Sequence, residues 1–240
     1  MADKSLLKQA QVIVTALFFV LSGCATTSDY QDPRDPIEGF NRAMYSFNDV
    51  LDKALVKPLA QGYKTITSAS VNRGISNFFG NLTDVGSVIN NLLQFKLKHA
   101  ASDVGRVLVN TTIGWLGFID VASNMNLQKY DEDFGQTLGT WGVGAGPYIV
   151  LPLLGPSSGR GVFDVVVGWY TNPVSYVKSN YWRNSLAALR AIDTRADLLG
   201  TSHVMEEAAL DPYEFRRDAY LQKRKNDVYD GAPPPDPEFE

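Results

Sequence analysis

The chain has 240 residues, 45% of them hydrophobic and 20% charged, with a formal net charge of −4. This composition excludes a disordered or collagen-like chain, and a single cysteine excludes a disulfide scaffold. Mild acidity speaks against a nucleic-acid binder, which carries a basic face, and against attachment to anionic lipid by charge alone, so any membrane attachment is apolar or covalent.

Lys4 and Lys8 precede an apolar run from Ala10 to Leu21, broken only by Gln11 and Thr15. The run is shorter than the roughly 20 residues that span a bilayer, and its flanks are those of a secretory signal. It ends in Leu21-Ser22-Gly23-Cys24, which resembles a bacterial lipobox. Residues 1–23 are therefore read as a lipoprotein signal peptide. Cys24, the sole cysteine, is read as the site of a covalent diacylglycerol and an N-acyl chain. No thiol then stays free, which suits an oxidising periplasm, and more than one acyl chain makes anchoring stable. Ala25 follows the cysteine where an inner-membrane retention signal would carry Asp, as in a lipoprotein sorted to the outer membrane.

Residues 24–34 are polar and read as a tether. Asp35-Pro36 is expected to start a helix, with Asp as N-cap and Pro at the first helical position. Ile37, Phe40, Met44, Phe47 and Leu51 then repeat at helical spacing, and the helix is expected to end before Pro58. No proline occurs from Leu59 to Gly146, a stretch of 88 residues. Three apolar stripes lie in it, from Val71 to Leu82, Val85 to Leu93 and Leu97 to Leu108. They predict three helices with short connections, and stripes of this kind ordinarily face a core.

Residues 135–161 hold eight glycines, and Val143 to Leu154 are twelve residues without a charge. Pro147, Pro152 and the glycines disfavour a regular helix, so the segment is expected to form a buried irregular hairpin or a re-entrant element. Gly135-x-x-x-Gly139 and Gly142-x-x-x-Gly146 permit close backbone approach. Asn172-Pro173 marks a turn, Trp182 to Leu199 predicts a long helix, and Asp211-Pro212 starts a charged helix running to about Arg224. Asp131-Glu132-Asp133 reads as solvated surface or helix-start charges, and Lys223-Arg224-Lys225 as a solvated helix end. Residues 226–240, rich in proline and acids, read as a disordered tail.

Several enzymatic patterns are tempting and are set aside. Gly155-Pro156-Ser157-Ser158-Gly159 matches G-x-S-x-G, with Asp193 and His203 following in hydrolase order. A serine esterase or phospholipase using Ser157 needs a doubly wound sheet, however, and the preceding residues read as helices. Gly142-Val143-Gly144-Ala145-Gly146 lacks the dinucleotide spacing, and two histidines with no H-E-x-x-H or C-x-x-C offer no zinc motif.

The motifs taken together resemble the VacJ/MlaA family of outer-membrane lipoproteins. They are the lipobox at Cys24, Asp35-Pro36-Ile37-Glu38-Gly39-Phe40-Asn41-Arg42, Asn77-Phe78-Phe79-Gly80-Asn81-Leu82 and Asn90-Asn91-Leu92-Leu93-Gln94. Gly117-Phe118-Ile119-Asp120-Val121-Ala122 and Phe134-Gly135-Gln136-Thr137-Leu138-Gly139 follow, the latter continuing through Trp141-Gly142-Val143-Gly144 to Gly146-Pro147-Tyr148. Thr194-Arg195-Ala196-Asp197-Leu198-Leu199 and Asp211-Pro212-Tyr213 complete the set, which covers residues 21–225. One departure is Gly159-Arg160-Gly161, where the family usually reads Leu-Arg-Asp; Asp164 is the acid nearest to replacing the one lost.

The resemblance implies an all-α fold over residues 35–225. It would be a ring- or doughnut-shaped bundle of amphipathic helices with a glycine-rich irregular hairpin, lying in the inner leaflet of the bacterial outer membrane. It implies a non-enzymatic protein without cofactors beyond its acyl chains. Such a protein draws misplaced phospholipids from the outer leaflet through an amphipathic channel. It sits beside outer-membrane porin trimers and hands lipid to a soluble periplasmic lipid-binding carrier. A passive porin-associated scaffold is the alternative without a channel. Residues 135–178 are expected to line or gate the lumen. The candidates are Gly142, Gly144, Gly146 and Tyr148 on the glycine-rich stretch, Arg160 and Asp164 at helical i, i+4 spacing, and Lys178 beyond the Asn172-Pro173 turn. A cation at Arg160 or Lys178 is expected to meet the lipid phosphate.

Overall fold

The computed structural model describes residues 32–201 and 209–234. The signal peptide, Cys24 and His203 lie outside the described residues. Helix α1 spans Glu38–Leu51, followed without a break by a π-helical turn over Asp52–Val56 and by α2, Lys57–Ile66. The expected stop before Pro58 is absent. Proline lacks an N–H, and its ring presses on the carbonyl four residues back. The wide π turn moves that carbonyl away, and Pro58 takes the first turn of α2, where no intrahelical donor is needed.

Two of the predicted helices are one. Helix α3 runs from Ala69 to Leu93, and α4 spans Leu97–Thr112. Short helices α5, Val121–Asn124, and α6, Phe134–Thr140, follow, each N-capped by an aspartate, Asp120 and Asp133. The glycine-rich segment then forms a two-stranded antiparallel hairpin, β1 Tyr148–Leu151 and β2 Gly155–Ser158, with Tyr148 opposite Ser158 and Leu151 opposite Gly155. Helix α7 spans Gly159–Thr171, a 3-10 turn capped by Asn172 covers Pro173–Tyr176, and α8 spans Asn180–Asp197. Helix α9, Pro212–Val228, begins as expected, with the Asp211 carboxylate accepting the N–H groups of Tyr213 and Glu214. It continues past the expected boundary at 225.

The first expected helix start is a different device. Asp35 is not an N-cap: α1 begins three residues later, and the Asp35 carboxylate is fully buried. It accepts hydrogen bonds from Asn41 Nδ2 at 2.7 Å and from the Tyr213 hydroxyl, with Arg217 Nη1 at 3.6 Å. Beside it lies a small apolar core of Tyr148, Val150 and Tyr213.

The elements form a closed circuit. Helix α2 packs on α8, α8 on α3, α3 on α6, α6 on α9, α9 on β2, and β1 on α1, which leads back through the π turn to α2. Ion pairs fasten the joints. Arg195 Nε and Nη2 grip the Asp52 carboxylate at 2.8 Å each. Arg42 reaches Asp211 at 2.8 Å and Glu214 at 2.9 Å, and Arg224 pairs with Asp133. No helix among the described residues is long and apolar enough to cross a membrane.

Burial runs opposite to the expectation for the apolar stripes. On α3, the buried side chains are Phe79 together with Asn81, Asp84, Ser87, Asn90 and Asn91, while Val71, Ile89, Leu92 and Leu93 are exposed. On α4, Asp103, Arg106 and Asn110 are buried, while Leu97, Val104 and Leu108 are exposed. Many of these polar side chains bond one another or the neighbouring backbone, although Asn81 Oδ1, Asn91 Oδ1 and Arg106 Nε are left without a hydrogen-bond partner among the described residues. Asn91 Nδ2 donates to Asp103 at 2.9 Å, Arg106 Nη2 to Asp120 at 3.0 Å, and Asn110 Oδ1 accepts the Ala122 N–H at 2.9 Å. Leaving such a group unpaired costs about 1–3 kcal/mol, so the network specifies the α3–α4 pairing where an apolar core would otherwise do so. The apolar surface faces outward: Ile66 is 84% exposed, Phe95 85% and Trp115 77%.

Candidate functional site

The circuit of helices encloses a cavity of about 1320 Å³. Asn48, Asp49 and Asp52 come to it from α1 and the π turn, and Leu82, Thr83 and Gly86 from α3. The hairpin tip supplies Leu153 and Leu154, α7 supplies Asp164, Val165 and Trp169, and α8 supplies Arg183, Leu186 and Arg190. The wall is mixed, with apolar surface from both sides and charges set among it.

Most of the acids at the wall are already neutralised. Asp52 is held by Arg195, Glu132 by Lys96 at 2.9 Å, Asp133 by Arg224, and Asp49 by Lys53 at 2.8 Å. Asp133 is the helix-start charge the sequence allowed, whereas Glu132 is buried rather than solvated, held also by Gln94 Nε2 at 2.8 Å, and Arg224 packs inward onto Asp133 instead of ending a solvated helix. A charge is kept buried only where a partner compensates it, and the α6 N-terminus draws both acids inward. Asp164 has no cation within salt-bridge range among the described residues; its Oδ1 accepts the Phe134 N–H at 3.1 Å. Burial, with the nearby Asp133 charge, pushes its pKa up to about 6.

The residues anticipated for the lumen divide between three places. Asp164 lines the cavity. Gly142, Gly144 and Arg160 line a second hollow of about 300 Å³ beneath the loop joining α6 to β1, with Tyr220 and Arg224 opposite. Gly146, in the same exposed loop, has φ +70°, and a Cβ there would lie 3.2 Å from Gly159 Cα. Tyr148 is fully buried in the hairpin core against Tyr213 and Tyr220, and lines neither hollow. Lys178 is exposed between the 3-10 turn and α8, away from both.

Arg160 is buried under its own loop, Nη1 donating to the Val143 carbonyl at 2.8 Å. Burial, reinforced by neighbouring Arg224, lowers its pKa. Arg160 and Lys178 thus do not converge with Asp164. The cations that do face the cavity are Arg195, Arg216, Lys223 and, on α8, Arg183 and Arg190; the last two were passed over in the sequence as part of a long helix. Their signal was present in a spacing of seven residues, which returns a side chain to the same helix face.

The esterase pattern does not assemble a strand-to-helix elbow on a doubly wound sheet. Ser157 is buried in β2 opposite Ile149, and a Cβ at Gly161 would lie 2.7 Å from its Oγ. The Asp193 carboxylate is occupied by the hydroxyls of Tyr63 at 2.8 Å and Ser76 at 2.9 Å. Among the described residues no three His, Cys, Asp or Glu side chains group as a metal site.

Comparison with known proteins agrees with this architecture. The profile of the MlaA lipoprotein family matches residues 33–227. The intermembrane phospholipid transport system lipoprotein MlaA of Escherichia coli K12 is 38% identical over 216 residues, covering 85% of this chain and 82% of that protein. The protein of the same description from Haemophilus influenzae is 34% identical over 232 residues, covering 93% and 92%. A solved structure described as the "structural basis for maintenance of bacterial outer membrane lipid asymmetry" superposes with a TM-score of 0.71 at 33% identity, covering 81% of this chain and 98% of that one. The chain belongs to the MlaA lipoprotein family.

Proposed function

We propose that this protein is a non-enzymatic phospholipid transporter of the outer membrane, acting in the maintenance of lipid asymmetry. Acyl chains on Cys24 anchor it on the periplasmic side. The ring lies in the inner leaflet, its apolar helix faces in hydrocarbon, and phospholipid misplaced in the outer leaflet leaves through the central cavity. A porin trimer braces the ring, and a soluble periplasmic carrier takes the lipid onward. The relatives described as phospholipid transport lipoproteins support this reading.

The observation that carries it is the inverted build: polar side chains between the helices, apolar ones outside, and a large mixed-wall hollow in the middle. A phospholipid needs that combination. A charged group at the centre of a bilayer costs about 2.5–3.5 kcal/mol on insertion scales, and a path with polar groups on its wall removes that cost while apolar patches keep the acyl chains covered.

The test is to plug the hollow. Ala187 on α8 lines the cavity and is exposed, so Ala187→Trp adds bulk to open space. In a strain lacking the native gene, the variant is expected to accumulate at the normal level yet leave phospholipid in the outer leaflet and the cells detergent-sensitive. Full complementation by a correctly folded Ala187→Trp protein would show that lipid does not pass through the cavity.

A further inference from the structure

The cavity wall is electrically lopsided once its ion pairs are counted. Asp49, Asp52, Glu132 and Asp133 each have a cation, and Asp164 gives its carboxylate to the backbone of the first turn of α6. Of the other lining cations, Lys223 pairs with Asp227 at 2.6 Å and Arg216 lies over the Tyr45 ring at 5.4 Å, while two arginines on α8 have no carboxylate within 4 Å among the described residues. Arg190 Nη2 donates to the neutral Thr83 hydroxyl at 3.2 Å. Arg183 donates to the Asn180 side-chain oxygen at 2.8 Å and the Val177 carbonyl at 3.4 Å, and its Nε is buried with no partner. Arg195, on the same helix, shows the alternative, since Asp52 takes it bidentately.

Seven residues are two helical turns, so Arg183 and Arg190 face the same way and stand about 10.5 Å apart along α8. Both are partly buried at the wall. Burial lowers the pKa of Arg190, with no nearby carboxylate to offset it. Two half-buried guanidinium groups that leave donors unused can be completed by an anion, and the guanidinium fork matches a phosphate. An ammonium group entering the cavity finds the reverse: each wall carboxylate is already bonded.

We infer that Arg183 and Arg190 are a headgroup-selecting pair that makes the cavity prefer phospholipids of net negative charge over zwitterionic ones. The inference rests on the transport reading above and adds to it the class of lipid favoured. Arg190 and Thr83 form one phosphate position, and Arg183 forms another two turns nearer the helix start. A phosphodiester bonded at either position has its charge matched. A headgroup with an added ammonium brings a second charge that meets two cations, and the one wall acid without a cation, Asp164, already accepts from the Phe134 N–H. Phosphatidylglycerol is the simplest lipid of the favoured class and phosphatidylethanolamine of the disfavoured one.

The experiment uses the full acylated chain, purified in neutral detergent and incubated with mixed micelles holding equal amounts of phosphatidylglycerol and phosphatidylethanolamine. Bound lipid is identified by native mass spectrometry. The wild-type protein is expected to retain phosphatidylglycerol over phosphatidylethanolamine by about fivefold or more, the factor that about 1 kcal/mol of differential binding produces. Raising the salt should narrow the ratio, because the preference is coulombic. The double variant Arg183→Gln/Arg190→Gln should bring the ratio close to one, Arg183→Lys/Arg190→Lys should retain most of it, and Lys178→Gln, outside the cavity, should leave it unchanged. The salt series and the lysine variant keep the test decisive if the glutamine variant fails to fold. Equal retention of both lipids by the wild type, or a preference that survives the glutamine pair, overturns the inference and leaves the transport reading standing. Retention of neither lipid overturns both.

Discussion

Asn41 closes the open edge of the hairpin at Val150. Its Oδ1 accepts the Val150 N–H at 2.8 Å while its Nδ2 donates to the Tyr148 carbonyl at 2.9 Å, so one amide stands in for a third strand. Asn48, two turns on, repeats the arrangement at the tip, accepting from Leu153 N–H at 2.8 Å and donating to the Leu151 carbonyl at 2.9 Å. An unpaired strand edge would otherwise carry unmet polar groups. The Asn41 Nδ2 also reaches the buried Asp35 carboxylate. Asn41→Asp keeps the acceptor for Val150 but places a second carboxylate against Asp35. It is expected to destabilise the fold by about 3–5 kcal/mol, the range for an uncompensated buried charge. Asn48→Ala, at the more exposed tip, should cost about 1–2 kcal/mol. Denaturant unfolding followed by circular dichroism compares the two, and equal small effects would mean that the hairpin does not depend on α1.

Asp164 makes stability depend on pH in a direction opposite to that of most carboxylates. Its pKa is raised from 3.8 to about 6 in the folded protein, so the folded state holds the proton more tightly than the unfolded chain. The resulting stability is fully present below about pH 4 and is lost as pH rises through about 6. Asp164→Asn stays neutral throughout and keeps an oxygen for the Phe134 N–H. The variant should therefore gain on the wild type as pH rises from about 4 to about 6 and hold that gain above it, by about 1–2 kcal/mol once partial solvent screening is allowed for. Thermal melts across that range check this; a difference between the two proteins that does not change with pH would rule it out.

The helix positions were legible because stripes such as Leu97 to Leu108 carry the helical period whichever way the helix faces. Which face points inward was not legible from the apolar residues alone. Asn81, Asp84, Ser87 and Asn91 recur at spacings of three and four with the same period as the apolar stripe, and they face inward. In a ring with polar side chains between its helices and apolar ones outside, either stripe satisfies the pattern, so periodicity yields the helix but not its orientation. The continuation through Pro58 depended on the π turn, a backbone choice without a side-chain signature. Asp35-Pro36 and Asp211-Pro212 are the same dipeptide, yet only Asp211 caps a helix, because Asn41, Tyr213 and Arg217 converge on Asp35 from distant parts of the chain. Arg160, Lys178 and the Gly142–Gly146 stretch were grouped by nearness in sequence; the fold separates them and brings forward Arg183 and Arg190 on α8 instead.

Two glycines of the same glycine-rich segment should respond differently to alanine. Gly139 lies in α6, where alanine alone would favour the helix by about 1 kcal/mol. A Cβ there would stand 2.6 Å from Arg160 Nη1 and 2.7 Å from Val228 Cγ2. Arg160 has little freedom to yield, being buried and bonded to the Val143 carbonyl. Gly139→Ala is expected to cost about 1–3 kcal/mol through overpacking. Gly144 has open space around it and no left-handed φ, so Gly144→Ala should stay within about 0.5 kcal/mol of the wild type. Melting temperatures of the pair decide whether contact beneath the loop, rather than glycine content, is what holds it.

Trp115 and Leu116 stand out on the outer surface because the backbone is strained to put them there. Both have left-handed φ, 56° and 60°, and both are more than half exposed. Gly117 follows at φ +92°, pressed so close to Asn81 that a Cβ would lie 2.7 Å from the Asn81 Cβ, and this contact fixes the loop. Each left-handed residue costs about 1–2 kcal/mol, an expense without return in water but offset if the two side chains enter hydrocarbon. Burying a large apolar side chain contributes about 1.5–3 kcal/mol. Trp115→Ser/Leu116→Ser, made in a Cys24→Ala background so that acyl chains do not mask the effect, is expected to weaken binding to phospholipid vesicles by at least about tenfold for the pair. The melting temperature without vesicles should hold or rise. Vesicle flotation measures the first and a thermal melt the second. Undiminished flotation of the double variant would mean that this loop points away from the bilayer, and the exposed faces of α3 and α4 would then have to carry the contact.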